Sequence, residues 1–91
     1  MENGKIYKYT NLINGMVYIG QTKQTLQQSD DRHQDQLNDN TYFHQALKKY
    51  GRANFFLELI EENIPFDELD EKEKYYIDFF DSSHTTGKGY N

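Results

Sequence analysis

The sequence predicts an α+β fold in which a small three-stranded sheet is flanked by three helices within a single domain. Three observations predict it. An Asn14-Gly15 pair sits between two short strand-forming runs; a third such run spans Asn54 to Ile60; and three other stretches space their apolar residues as helices do. At 91 residues the chain suffices for one domain with a modest core.

The first two strands come from Lys5-Ile6-Tyr7 and Val17-Tyr18-Ile19-Gly20. Asparagine and glycine both tolerate positive φ, as the two central positions of a type I′ turn require, so Asn14-Gly15 predicts a tight hairpin. That turn would set Tyr18 opposite Asn11, with Tyr7 on the same face four residues earlier. Two phenols then share one side of the sheet, and Ile6, Leu12, Val17 and Ile19 take the other. Gln21 to Thr25 is a polar connection. From Thr25-Leu26 to about Asn38 the pattern reads as a very polar helix whose one stripe holds Leu26, Ser29 or Asp30, His33 and Leu37.

Asn38-Asp39-Asn40 marks a break, after which Thr41 is placed to cap a helix carrying Phe43, Leu47 and Tyr50 at helical spacing, ended by Gly51. In the run 54–60, Phe55, Leu57 and Leu59 fall on one face and Phe56, Glu58 and Ile60 on the other. Pro65 interrupts the chain, and Asp67 with Asp70 reads as an N-cap and acidic first turn. In the last helix Leu69, Glu73, Tyr76, Ile77 and Phe80 form one stripe, which puts a carboxylate among apolar residues. Ser82 to Asn91 reads as loop.

Composition narrows the function classes. There is no cysteine, hence no disulfide and no thiolate zinc site, and His33, His44 and His84 follow no recognisable metal spacing. No apolar run is long enough to cross a bilayer and no signal peptide is visible, so the expectation is an intracellular protein, cytoplasmic or nucleoid-associated, without a membrane partner. A net charge of -5 argues against strong non-specific duplex binding by this segment alone.

A carboxylate in an apolar stripe costs several kcal/mol, in order of magnitude, unless it meets a cation. Glu73 therefore reads either as one half of an ion pair with a lysine such as Lys48 or as a ligand of a magnesium-type ion, which often takes one carboxylate, several waters and a substrate phosphate. His33 reads as a satisfied core histidine or a catalyst. Tyr7 and Tyr18 read as packing, or as bases if a cation stabilises the phenolate.

Taken together these residues resemble the GIY-YIG nuclease superfamily over essentially the whole chain. The resemblance rests on Lys5-Ile6-Tyr7, Tyr18-Ile19-Gly20 with Gln21-Thr22, Leu47-Lys48-Lys49-Tyr50-Gly51, Asn54-Phe55, the segment Glu71 to Ile77, and Gly89-Tyr90-Asn91. It implies a three-stranded antiparallel sheet flanked by helices and a DNA endonuclease. Tyr7 and Tyr18 would be the catalytic tyrosines, His33 the helix histidine, Glu73 the ligand of Mg²⁺ or Mn²⁺, and Asn91 the asparagine closing the active face. One tyrosine would activate water for attack on phosphorus. A separate DNA-binding module or partner would supply sequence preference, and cutting both strands would take a homodimer or two nicks.

One position departs from the pattern. The family helix carries an arginine, then an aromatic, with its histidine four residues after the arginine; the gapless register puts Ser29 at the arginine and Asp30 at the aromatic. A shifted register would use Arg32 but loses the match at His33, so the gapless one is favoured. Three readings follow: a nuclease in which Arg32 compensates, an inactive nuclease fold that binds DNA, and a protein-interaction module that has left nucleic acid.

Overall fold

In the computed structural model, which describes residues 3–35 and 41–91, one antiparallel sheet separates two layers of helix. Strands β1 (Asn3–Asn11), β2 (Val17–Thr22) and β3 (Phe55–Pro65) run in the order β2-β1-β3, so β1 is central. Helices α1 (Leu26–Asp35) and α2 (Tyr42–Tyr50) lie on one side and α3 (Leu69–Phe79) on the other. The expected stop of the first helix near Asn38, with Leu37 and the 38–40 break, lies outside the described residues.

Each layer has its own core, as period-2 strands require. Tyr7, Tyr9 and Phe55 from the sheet meet Phe43, Ala46 and Leu47 of α2, with Tyr90 at the margin. On the opposite face Ile6, Ile19 and Ile64 meet Leu69, flanked by Tyr76, Ile77 and Phe80. The α3 stripe read from the sequence is thus the face that packs. Thr41 caps α2 by accepting from the His44 N–H, and Gly51 ends it at φ 85°, both as expected.

The hairpin differs in one instructive way. No two-residue type I′ turn forms; residues 12–15 make a four-residue loop closed by Asn11 N–H donating to Met16 O and Gly15 N–H donating to Asn11 O. The side-chain oxygens of Asn11 and Asn14 accept from the N–H groups of Ile13 and Met16, which wraps the longer loop, and only Gly15 takes positive φ. Tyr18 consequently pairs with Tyr9 rather than Asn11, a slip of two residues. Because side chains alternate with period two, a slip of two leaves every face unchanged. Leu12 is the casualty: expected on the buried face, it sits in the loop at 67% exposure.

β3 runs beyond the expected run to Pro65, where the ring ends the ladder. Its alternation holds through Leu59 and then slips against β1 twice, between Ile6 and Tyr7 and between Gly4 and Ile6, with Asn63 at φ 59°. Asp67 caps nothing: a 3₁₀ turn, Phe66–Glu68, leads into α3, whose N-cap Glu68 makes no side-chain cap bond. The C-terminal segment, expected as loop throughout, holds a 3₁₀ turn, His84–Thr86, capped by Ser83, and is pinned to β2. Gly89 bridges to Val17, Tyr90 N–H donates to Val17 O, and Asn91 clamps Ile19 from both sides.

Candidate active site

Tyr7, Tyr18 and His33 meet on the sheet face under α1. Tyr7 projects from β1 across β2, a path that exists because residue 20 is glycine: a Cβ there would lie 2.3 Å from Tyr7 Cζ. Its hydroxyl reaches His33 Nε2 at 2.6 Å, and His33 Nδ1 lies 2.8 Å from His44 Nε2. Burial pushes Tyr7 up to about 12 and His33 down to about 4, the latter helped by the charges of His44 and Arg32. At neutral pH the phenol therefore holds its proton and the imidazole is uncharged. The phenol proton needs an acceptor, and among the described residues His33 Nε2 is the one in hydrogen-bond geometry; His33 then donates from Nδ1 to His44. This directed chain of Tyr7, His33 and His44 was legible only in its first two members.

Tyr18 stacks on Phe43, centroids 4.1 Å apart and planes 5° from parallel. Burial first, then the nearby Tyr7 and Glu73, raise its phenol well above the usual tyrosine range. Glu73 lies on α3, and its charge is felt by both phenols. The ion pair that was one reading of Glu73 is absent among the described residues. The Gln21 amide donates to Asp70 at 2.7 Å and is near enough to Glu73 to lower its carboxyl, while Lys72 goes to Glu61. Desolvation, with Asp70 adding to it, therefore holds the Glu73 carboxyl above its ordinary range.

Ser29 and Arg32 occupy different situations one turn apart on α1. Ser29 is 2% exposed beside Tyr7, close enough to lower the phenol, yet among the described residues its Oγ completes no well-formed hydrogen bond. Arg32 is exposed, lines a cavity of about 340 Å³ with Gln21, Thr22, Lys23 and Gln24, and its charge lowers Tyr7. Asp30, at the aromatic position of the motif, is buried and bound by Tyr9 O–H at 2.6 Å and Arg52 Nε at 2.7 Å. No sequence signal announces that pair, because Arg52 reads only as a residue after a helix end. Asn91 spends its amide on structure: Nδ2 donates to Ile19 O, and Oδ1 accepts from Ile19 N–H and Ser82 Oγ–H.

Residues 3–91 match the family model described as the GIY-YIG catalytic domain. The chain belongs to the GIY-YIG family. Two structures of the catalytic domain of the intron and homing endonuclease I-TevI, one of them a point mutant, superpose with TM-scores of 0.81 and 0.79. Identities are 23% and 25%, over 98% and 97% of this chain and 92% and 96% of those chains. The protein segE of Enterobacteria phage T4, an endonuclease by its name, is 39% identical over 57 residues. That match covers 63% of this chain, which spans about a quarter of the phage protein's length, 25%. Among the described residues no helix is long and apolar enough to cross a membrane.

A divalent ion fits the donor set at Glu73: a half-buried carboxylate beside an amide, with no cationic partner among the described residues. No group of three or more His, Asp or Glu side chains converges among the described residues. That suits an ion that keeps most of its water and takes one protein carboxylate.

Proposed function

We propose that this chain is the catalytic domain of a divalent-metal-dependent DNA endonuclease. The observation that carries the reading is the convergence, across one edge strand, of the two phenols, a neutral histidine and a carboxylate lacking a counter-ion among the described residues. Membership of the family supports it.

Tyr7 is suited to take a proton from the attacking water because its own proton already points at His33 Nε2. As water loses a proton to the Tyr7 oxygen, the phenol proton moves to His33, and the Nδ1 proton of His33 moves toward His44. This relay lets a phenol of high pKa act as a base without existing as a free phenolate. Tyr18, whose hydroxyl makes no hydrogen bond to a described residue, is available to orient the water or the phosphate. Glu73 would hold the metal, which when bound supplies positive charge to offset that developing on the phosphoryl oxygens and the leaving 3′ oxygen. The arginine contribution is absent at Ser29; Arg32, on the cavity rim, is near enough for its charge to lower Tyr7.

Nicking of supercoiled plasmid in magnesium, abolished by Glu73→Ala, is the expected result. DNA binding without cleavage would turn the reading into that of an inactive nuclease fold. No binding at low salt would leave an interaction module. A separate DNA-binding module or a homodimer belongs to this proposal as the means of choosing a sequence and cutting both strands.

A further inference from the structure

In an acidic chain the placement of uncompensated cations is informative. Lys8, Arg52, Lys72 and Lys88 are each tied to a carboxylate. Six cations have no ion pair among the described residues: Lys48, Lys49 and Lys74 lie along α2 and α3, whereas Lys5, Lys23 and Arg32 gather at the turn leaving β2. Lys5 Nζ donates to Gln24 O, Lys23 rests over the Phe66 ring at 4.4 Å, and Arg32 lines the same cavity as Lys23. The cavity wall is otherwise polar: Gln21, Thr22 and Gln24. Gathering like charges costs energy unless an anion arrives. Asp70, which takes the Gln21 amide at 2.7 Å, is the carboxylate at its border, and Glu73 lies just behind.

We propose that this cavity is a second phosphate subsite, taking a phosphodiester group of the DNA strand that neighbours the one being cut. Lys23 and Arg32 would hold the phosphate oxygens, and Lys5 would fix the Gln21–Gln24 turn that carries the glutamines. Such a contact sets the register of the strand across Tyr7 and Tyr18. The inference rests on the endonuclease reading.

The test measures binding of a fluorescent DNA duplex to the intact chain in chelator, as a function of salt. Lys23→Gln should weaken binding and reduce the slope of log affinity against log salt by about 0.9, as expected for one lost phosphate contact. Lys23→Arg should restore both, Lys5→Gln should weaken binding in the same direction, and Lys88→Gln should change neither. Thermal melting of each variant confirms that it folds. Equal affinity and slope for wild type, Lys23→Gln and Lys5→Gln would overturn the subsite while leaving the nuclease reading intact. A wild type that binds no duplex at low salt would overturn both.

Discussion

Ser29 and Glu73 show how single side chains set what this site can do. A hydroxyl with no partner among the described residues, buried beside Tyr7, contributes nothing to binding a charged transition state and leaves a polar atom unsatisfied. Removing one transition-state donor typically costs about 10²- to 10³-fold in rate. Ser29→Arg is therefore expected to raise the initial rate of plasmid nicking by about 10²-fold, while Arg32→Ala in the wild type lowers whatever rate is present. Glu73 carries the opposite balance. Its folded pKa lies above the unfolded one, so its contribution to stability is favourable below the unfolded pKa and is lost as pH rises through the folded one. At pH 7 the ionised carboxylate is a liability to the metal-free fold. Glu73→Gln should melt at a higher temperature than wild type in chelator yet cut nothing, and magnesium should raise the melting temperature of wild type only.

At the scale of elements, the site depends on how β2 is held. Gly20 opens the path by which Tyr7 crosses the strand, and Asn91 ties the same strand to the C-terminal segment by bonds of 2.7 Å to both the N–H and the C=O of Ile19. Gly20→Ala should destabilise by about 1–3 kcal/mol, the usual cost of overpacking, and should depress cleavage further because the phenol must leave His33. Chemical denaturation and nicking, measured on the same preparation, separate the two effects. The hairpin teaches a complementary lesson. Its loop is two residues longer than Asn-Gly predicts and its pairing shifts by two, yet Tyr7 and Tyr18 stay on one face because the shift matches the period of the strand. β3 was less forgiving, since a bulge inserts a single residue and no pattern of apolar residues announced it.

For the whole molecule, acid should be the first stress to weaken the fold. His33 falls from 6.5 to about 4 on folding, so between those values the unfolded chain binds more protons than the folded one. Stability from this group is complete above about pH 6.5 and drains away as pH drops toward 4. Urea midpoints followed from pH 7 to pH 4 should decline, and His33→Gln should flatten that decline.

The sequence by itself determined the three strands, the three helices, the caps of α2, the shared face of the two phenols and the carboxylate in the α3 stripe. These follow from local periodicity, which is written in neighbouring residues. Packing, in contrast, settles that Glu73 lies beside an amide and not a lysine, that His44 stands behind His33, that Arg52 pairs with Asp30, and that three cations gather at the end of β2. Such pairings join residues far apart in the chain. Burial, not spacing, holds the Glu73 carboxyl above and the His33 imidazole below its ordinary range.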